Sequence, residues 1–411
     1  MAAAAVLALW WAGPPGLETD PFVQDLTSRS VVIARIDRSP SQLSVTVAPE
    51  SGTPIRVAET QAARDHAVRV EGLRPGVRYR YHFDDEPDVV GSFRAAPVDD
   101  RAAVRFAAVG DSGALPWWFN LHAFGVARVR PLVAWTHRPP QWRVAEWIAA
   151  HDPDFTIHLG DIVYWPVHLR EAHEEAFFRP FAPVLAKAAL YTSIGNHDIP
   201  RDGSPPPFDS LFQRPASSAP GRSYAFAWGA VRVFVLDNIA EGWAAGGPAH
   251  RWLDAELRAA AEPWLVVAMH RPHFTTCREG AEPQRGEPWS LLERHGVDLV
   301  ISGDDHLYQR FVPPAGPVQI VAGAGGKSLY DCSRDHPQLA AMAVEWSAVV
   351  VDARGPVLET RAVGAGGAIL DEHRIDRARG PLPAEISAAR RARILALRRG
   401  PPAPSAARLR D

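Results

Sequence analysis

The sequence predicts an α/β (α+β) fold in which an N-terminal antiparallel β-sandwich precedes a larger mixed α/β domain. Between Val31 and Phe93, short stretches alternate apolar and polar residues, a pattern typical of half-buried antiparallel strands. After Pro97, apolar runs alternate with amphipathic helical segments, which indicates βαβ units around a central sheet. The chain has 411 residues, enough for two domains, because single domains usually hold about 100–200 residues.

The predicted sandwich spans residues 28–98. Turn residues separate its alternating segments, for example at Ser51 and Gly52. The stretch from Val70 to Tyr81 is similar to the tyrosine-bearing turn of fibronectin type III domains. This domain is therefore expected to be an accessory module that contributes no chemistry.

The second domain is expected to span residues 99–366. A β-rich pair lies between Arg222 and Asp237, and residues 319–321 and 341–351 suggest further strands. The sheet is therefore expected to be mixed, in one layer or two. The helices expected between the strands are residues 141–150, 248–261 and 288–295.

The two ends differ from the domains in composition. Residues 1–27 begin with an apolar run that fits either a truncated export signal or a plain apolar segment, because the basic residues that normally precede a signal are missing. We predict a secreted or periplasmic protein without a transmembrane anchor, since the run is shorter than the ~20 residues that cross a bilayer. In the tail, residues 367–411, the chain becomes rich in Arg, Ala and Pro. We expect a solvated or disordered tail there rather than a surface for acidic partners.

Charge and cysteine content exclude several classes of protein. Charged residues make up 22% of the chain and the formal net charge is -3, so no global basic field indicates nucleic-acid binding. No partner protein is indicated. The chain has only two cysteines, Cys277 and Cys332, which excludes a disulfide scaffold and a cysteine-based zinc site. A single disulfide between them and two free thiols both fit the sequence.

Five short segments place oxygen or imidazole donors directly after apolar runs. One such segment would mean little, since Gly-Asp pairs are common in turns. In open α/β sheets, however, ligands bind beyond the carboxyl ends of the strands, so five segments of this kind predict one shared site. The candidate metal ligands in these segments are Asp111, Asp161, Tyr164, Asn196, His270, Asp304 and His306.

The donor set suits two metal ions. Seven donors exceed the needs of one tetrahedral ion, and mixed oxygen and nitrogen ligands suit iron, manganese or zinc. A carboxylate can bridge two such ions at a separation of ~3.5–4 Å. A pair of this kind clamps a phosphoryl oxygen and lowers the pKa of a bound water.

In chain order, the motifs Gly-Asp, Gly-Asp-x-x-Tyr, Gly-Asn-His-Asp, a lone His after a strand and Gly-x-x-His-x-Tyr-x-Arg resemble those of the calcineurin-like metallophosphoesterases. The resemblance is strongest to the purple acid phosphatase branch, in which a fibronectin type III-like domain precedes the catalytic one. It covers roughly residues 28–366. It implies a two-sheet α/β/β/α metallophosphoesterase domain after the sandwich.

The resemblance also implies the roles of the metal ligands. Asp161 would bridge two ions. The residues assigned to the first ion, usually ferric iron, are Asp111, Tyr164 and His306. The residues assigned to the second ion, which would be iron, manganese or zinc, are Asn196 and His270. Two further residues would be catalytic: His197 would bind phosphate and protonate the leaving oxygen, and Asp198 would orient its imidazole.

The implied activity is that of a binuclear-metal acid phosphatase, which hydrolyses phosphate monoesters of small molecules with a metal-bound hydroxide. A phosphodiesterase or nucleotidase of the same superfamily is the alternative. The tryptophan-rich segment 114–142 is longer than the family usually has there, and it forms either an aromatic wall over the metals or a loop packed on the domain. Residues 322–326 are rich in glycine and precede Lys327, but the spacing of a phosphate-binding loop is absent.

The sequence departs from the family pattern at Asp304, where the family has a histidine on the second ion. Asp304 and His306 would face the same way on a strand-like segment, so Asp304 is a candidate substitute ligand, directly or through a water. The extra carboxylate lowers the expected charge of the site from about +2 to about +1, which weakens the attraction for phosphate. It also favours manganese, magnesium or iron over zinc. A retuned second site and a weakly occupied one both stay open, and the latter would make the chain a degenerate, non-catalytic phosphate-binding member.

Overall fold

The computed structural model describes residues 17–99, 101–115, 139–165, 167–277, 288–377, 382 and 385–399. It confirms the predicted class, a mixed α/β fold with an N-terminal β part. Two large sheets pack face to face, and helices cover their outer faces. The apolar start of the leader and most of the tryptophan-rich segment lie outside the described residues.

The first large sheet has nine strands and a parallel centre formed by β8, β9 and β10. In spatial order its strands are β20 (Ile369–Asp376), β19 (Val357–Gly364), β18 (Ser347–Arg354), β8 (Val104–Val109), β9 (Phe155–His158), β10 (Ala189–Thr192), β1 (Phe22–Gln24), β2 (Ser30–Ser41) and β5 (Ala63–Glu71). Strands β9 and β10 are buried along their length, as expected for parallel strands covered on both faces.

The second large sheet has seven strands, and four of them, β12, β13, β14 and β16, run parallel. In spatial order its strands are β11 (Tyr224–Trp228), β12 (Val231–Leu236), β13 (Trp264–Met269), β14 (Leu299–Ser302), β16 (Val318–Ala322), β15 (Tyr308–Phe311) and β17 (Leu339–Ala343). Phe155 of the first sheet contacts Phe226 and Trp228 of the second, with ring centroids 5.3 and 5.0 Å apart. The main core therefore lies between the two sheets.

Helices cover both outer faces, which makes the α/β/β/α arrangement. Those on the nine-stranded sheet are α1 (Gln141–Ala150), α2 (Arg170–His173) and α3 (Arg179–Leu185), with a π-helical turn (Glu174–Phe178) between the last two. A short helix, α4 (Pro207–Leu211), packs in the same layer. Those on the seven-stranded sheet are α5 (Pro248–Ala259) and α6 (Trp289–Arg294). Among the described residues, no helix combines the length and apolar character needed to span a bilayer.

The N-terminal β part shares a sheet with the following domain. Its outer layer is a four-stranded sheet of β4 (Ile55–Ala58), β3 (Ser44–Pro49), β6 (Arg78–Phe83) and β7 (Gly91–Arg94). Its inner layer continues the nine-stranded sheet, because β1 pairs with β10 at Gln24 and Leu190. The tyrosine-bearing turn is present: the backbone N–H of Arg74 donates a 2.8 Å hydrogen bond to the Tyr79 hydroxyl. The expected boundary near residue 98 is thus not a break between sheets.

The expectation of a solvated or disordered tail is wrong for residues 385–399. A helix, α7 (Ala388–Arg398), packs on the second domain. Arg390 is 1% exposed, and its guanidinium donates to the carbonyls of His295 and Gly296 at 2.7 and 2.9 Å and to Asp298 at 3.2 Å. The arginine-rich composition suggested solvation, but one arginine of the helix satisfies the polar groups of a distant loop. Strand β20 lies beyond the expected domain end at residue 366 and pairs with β19.

Candidate metal centre

The predicted donors meet at one edge of the two facing sheets. Asp111 and Asp161 follow β8 and β9 of the first sheet, and His270 and Asp304 follow β13 and β14 of the second. Asn196 begins a 3₁₀ turn (Asn196–Asp198) after β10. Because the carboxyl ends of the parallel strands face the same edge, segments that are far apart in the sequence converge there.

Three aspartates of the cluster have left-handed backbone conformations. The φ angles of Asp111, Asp161 and Asp304 are 56°, 53° and 69°. Asp tolerates this region better than most residues, and a residue held in it is a recurrent feature of functional sites. The backbone is also close-packed, since a Cβ atom on Gly303 would lie 2.6 Å from Asp111 Oδ2. The strands therefore end in sharp turns that bring the carboxylates into a confined space.

One half of the cluster surrounds His270. The ligand atoms of Asp111, Asp161 and His270 all lie within 4.8 Å of one another, and all three residues are buried. His270 Nε2 is 3.2 Å from Asn196 Oδ1 and 3.4 Å from Asp161 Oδ1. This group contains the donors that the resemblance assigned to the second ion, together with the bridging aspartate.

The other half surrounds Tyr164. Its hydroxyl lies 3.1 Å from Asp111 Oδ1 and 2.9 Å from His306 Nε2. His306 Nε2 is in turn 3.5 Å from Asp111 Oδ1. These are the three donors that the resemblance assigned to the first ion, so the two predicted groups are adjacent and share Asp111.

Both histidines are held by backbone carbonyls. His270 Nδ1–H donates to Leu159 O at 2.8 Å, and His306 Nδ1–H donates to Ser328 O at 2.8 Å. A carbonyl only accepts hydrogen bonds, so each contact places the ring proton on Nδ1 and leaves the Nε2 lone pair directed at the cluster. This is the orientation that metal-binding histidines usually have.

Asp304 belongs to the same cluster. Its Oδ1 is 3.5 Å from His270 Nε2, its backbone N–H donates to Asp111 Oδ2 at 2.8 Å, and it is 8% exposed. Asp305 is turned away, and its carboxylate accepts a hydrogen bond from the Thr275 hydroxyl. Asp304 and His306 both reach the cluster, as expected, but the segment that carries them is a bend with a left-handed residue and not a strand.

The carboxylate of Asp198 is held by backbone N–H groups. Its Oδ2 accepts from the backbone N–H groups of Asp161 and Gly195, both at 2.8 Å. Its Oδ1 accepts from those of Ile162 and Val163 at 2.8 and 3.2 Å. The buried carboxylate therefore supports the loop that carries Asp161, and the orientation of the His197 imidazole by Asp198 stays a prediction. Burial and the neighbouring Asp161 raise the pKa of Asp198 to about 7, against the lowering effect of these N–H donors.

His197 lies beside the cluster and faces the cleft. Its backbone N–H donates to Asp161 Oδ1 at 2.8 Å, and its ring centroid is 4.5 Å from that of Tyr164. The side chain lines the cleft together with Asn196. This placement leaves the imidazole accessible to a molecule bound in front of the metal ligands.

The charges of the cluster suit a bound cation. Burial raises the pKa of Asp111 well above its ordinary value, and Asp161 and Asp304 raise it further, against the opposing effect of His270. Burial alone would lower the pKa of His270, but Asp161, Asp304 and Asp111 raise it to about 10. Without a cation, the cluster must therefore hold protons to balance its negative charge. A metal ion provides the same balance, and the donor set is of the kind that binds one.

A cleft of about 910 Å³ opens in front of the cluster. Tyr164 and His197 line it, and so does Trp165, which is 54% exposed. Two cations that sequence reasoning did not assign, Arg201 and Lys327, also line it. Tyr330, also unassigned, stacks on His306 with ring centroids 4.0 Å apart. In the sequence, one feature could have drawn attention to Lys327 as a site residue: its position directly after the glycine-rich segment.

The two cysteines form a disulfide. Cys277 and Cys332 have Cα atoms 4.6 Å apart. The bridge joins the segment after His270 to the segment that follows Lys327 and carries Tyr330. Of the two alternatives that fit the sequence, the structure has the bridge, and it ties two segments beside the candidate site.

Comparison with known proteins agrees with this arrangement. The sequence model of the calcineurin-like phosphoesterase family matches residues 104–308. Purple acid phosphatase 21 of Arabidopsis thaliana is 27% identical over 283 residues, which cover 64% of this chain and 58% of that protein. Acid phosphatase type 7 of Homo sapiens is 25% identical over 332 residues, covering 71% of this chain and 69% of that protein. The chain thus spans less than two thirds of the length of the plant relative.

A solved structure shows the same fold. The purple acid phosphatase PPD1 from yellow lupin (Lupinus luteus) seeds superposes with a TM-score of 0.73 at 17% identity, covering 93% of this chain and 76% of that one. At this identity the likeness concerns the fold alone. The matched family region contains all the segments that converge on the cluster. Residues 104–308 are accordingly a calcineurin-like phosphoesterase domain, and the chain belongs with the homologues of the purple acid phosphatases.

Proposed function

We propose that the protein is a phosphatase that hydrolyses phosphate monoesters of small molecules at a binuclear metal centre. The observation that supports this most is the convergence of Asp111, Asp161 and His270, all buried, at the edge of a metallophosphoesterase fold. Buried carboxylates and imidazoles of this density are costly unless a cation balances them.

In the proposed site the first ion, iron, is held by three side chains, Asp111, Tyr164 and His306. The second ion, which would be iron, manganese or zinc, would be held by Asn196, His270 and Asp304, and Asp161 would contribute to both sites. When bound, the ions supply Lewis acidity, which neutralises a phosphate dianion and acidifies a water molecule. Burial and the carboxylates Asp111 and Asp161 raise the pKa of the Tyr164 phenol, so a tyrosinate there requires a bound cation.

The chain's own groups would position the substrate. His197 presents its imidazole to the cleft beside Asn196, where it is placed to bind a phosphoryl oxygen and to donate a proton to the leaving oxygen. Asp198 would act through the backbone, by fixing the loop that carries Asp161. The cleft is open and the exposed Trp165 lines it, which accommodates a small or planar leaving group.

Asp304 decides between a working enzyme and a binding protein. Its carboxylate is in the cluster, 3.5 Å from the imidazole of His270, which supports a retained second site. The extra negative charge favours a hard ion, manganese or iron, over zinc. A degenerate, non-catalytic member would instead hold a single ion.

The test is metal analysis with a visible spectrum, together with hydrolysis of an aryl phosphate monoester by the wild type and by Asp304→His. Two ions per chain, a visible tyrosinate band and turnover by the wild type are expected. An aryl phosphodiester is the comparison substrate and should be hydrolysed more slowly. One ion per chain, with turnover only in the histidine variant, would show that the natural second site is inactive.

We further propose that the protein is secreted or periplasmic. The disulfide between Cys277 and Cys332 supports this, because such bonds persist in oxidising compartments. Residues 28–98 are proposed as an accessory fibronectin type III-like module and residues 99–366 as the catalytic domain. Thiol counting on protein taken from the culture medium or periplasm, compared with cytoplasmic protein, tests the proposed location.

A further inference from the structure

Lys327 is an unusual residue for this chain. Of the 44 Lys and Arg residues only two are lysines, Lys187 and Lys327. Lys187 is exposed, whereas Lys327 is half-buried at the candidate site. An ammonium group is a compact point charge on a flexible stem, whereas a guanidinium group is a planar fork. The site therefore holds one of the few positions at which this protein uses lysine.

The backbone of Lys327 is fixed to the metal cluster. Its N–H donates to Asp111 O at 2.9 Å, and its carbonyl accepts from the Trp346 indole N–H at 2.9 Å. The next residue, Ser328, provides the carbonyl that holds His306. The root of the lysine side chain is therefore held in place by the same segment that positions a candidate metal ligand.

The ammonium group projects over the candidate metal ligands and into the cleft. Lys327 Nζ lies 4.1 Å from the centroid of the Tyr164 ring, and the side chain lines the cleft with Asn196 and His197. Within the described residues, no carboxylate oxygen is recorded within ion-pair distance of this nitrogen. A cation in this position has donors left for an anionic ligand.

The charge of the proposed centre gives a physical reason for a lysine at this position. The carboxylate of Asp304 lowers the charge of the proposed binuclear centre from about +2 to about +1. One ammonium group at the same cleft returns the total to about +2. Asp304 replaces a neutral imidazole with a negative charge. The positive charge of Lys327 would offset it on the cleft side, from which the phosphate enters.

We propose that Lys327 binds a phosphoryl oxygen of the substrate and so compensates for the negative charge of Asp304. This inference rests on the proposed function, because it concerns the same cleft, but it assigns a substrate-binding residue that the metal ligands do not include. The role belongs to the side chain, since the backbone contacts of Lys327 persist in any substituted variant.

The experiment is calorimetric titration of the metal-loaded protein with inorganic phosphate. Lys327→Gln should bind phosphate about tenfold more weakly, which corresponds to the loss of one charged hydrogen bond. Lys327→Arg should retain most of the affinity, and the matched control Lys187→Gln should bind as the wild type does. In the Asp304→His background the loss caused by Lys327→Gln should be smaller, because the centre itself is then more positive.

Equal phosphate affinity in wild type and Lys327→Gln at unchanged metal content would overturn the inference, as would failure of the metal-loaded wild type to bind phosphate. A shift of the tyrosinate band in Lys327→Gln without weaker phosphate binding would also overturn it, because the lysine would then act on Tyr164 alone. Failure of the proposed function is recognised separately: the wild type would bind phosphate in a lysine-dependent way yet hydrolyse no ester.

Discussion

The backbone N–H of Asp161 donates a 2.8 Å hydrogen bond to the carboxylate of Asp198, which lies 37 residues later in the chain. The same carboxylate accepts three more backbone N–H groups from the two loops that it joins. A buried anion that receives four donors is a rigid support. The position of the loop that carries Asp161 thus depends on the carboxylate of Asp198.

Replacing this support should weaken metal binding. In Asp198→Asn, the amide group replaces one acceptor oxygen with a donor that faces backbone N–H groups. We expect metal affinity to fall about 10- to 100-fold, the usual effect of losing a residue that orients a ligand. The measurement is metal content after dialysis against graded chelator. Asp88→Asn, at an exposed position, is the control, and unchanged metal retention by Asp198→Asn would contradict the supporting role.

Removing the metal should destabilise the fold, and more so at high pH. In the stripped protein the raised pKa of His270, about 10, gives a stabilising contribution that is complete below the unfolded value of 6.5 and is lost as pH rises towards 10. The raised pKa of Asp111 acts in the same direction at lower pH. The urea midpoint of unfolding is measured for chelator-treated and metal-loaded protein. As the pH is raised from 6.5 to 9, the midpoint of the chelator-treated protein should fall further below that of the metal-loaded protein. A difference in urea midpoint that stays the same at every pH would show that protons do not balance the negative charge of the cluster.

Acid should destabilise the protein through His173, a buried histidine that is not one of the candidate metal ligands. Burial lowers the pKa of His173 to about 4, against the raising effect of its hydrogen bond to Leu169 O. A lowered histidine pKa contributes stability above the unfolded value of 6.5, and this is lost as pH falls towards 4. Between pH 6.5 and 5 the loss should be about 2 kcal/mol.

The variant His173→Asn isolates this effect, because asparagine retains a donor near the Nδ1 position but does not titrate. The free energy of unfolding is measured in urea at pH 6.5 and pH 5 for wild type and variant, both with chelator. Only the pH-dependent difference is compared, so any constant loss in the variant cancels. If the free energy of unfolding had the same pH dependence in both proteins, a group other than His173 would cause the acid sensitivity.

The buried arginine of α7 should be important for stability. Burial lowers the pKa of Arg390 only to about 10, so it stays charged at neutral pH. Arg390→Gln removes one partner of a buried ion pair and leaves three backbone carbonyls with fewer donors. We expect a loss of about 3–5 kcal/mol in the free energy of unfolding. Arg391→Gln, one residue further on and exposed, should change stability by less than about 0.5 kcal/mol. Similar losses in the two variants would show that the helix is stabilised by its apolar face alone.

The sequence by itself determined the class of the fold and the set of candidate donors. Both follow from local patterns. Alternating apolar and polar residues indicate the sandwich, and apolar runs followed by Gly-Asp or Gly-Asn-His-Asp indicate the strand ends that carry donors. The departure from the family pattern at Asp304 is also visible in the sequence. Such patterns depend on neighbouring residues, so they can be recognised without knowing what lies across the sheet.

Only the tertiary structure decided which distant groups meet. Four contacts join segments that are separated in the chain. They are the hydrogen bonds to Asp198, the cation–π contact of Lys327 with Tyr164, the disulfide and the hydrogen bonds of the buried Arg390. The continuity of the N-terminal strands with the nine-stranded sheet is of the same kind. Each depends on how whole strands and loops pack, and a residue type seen in isolation carries no record of that packing.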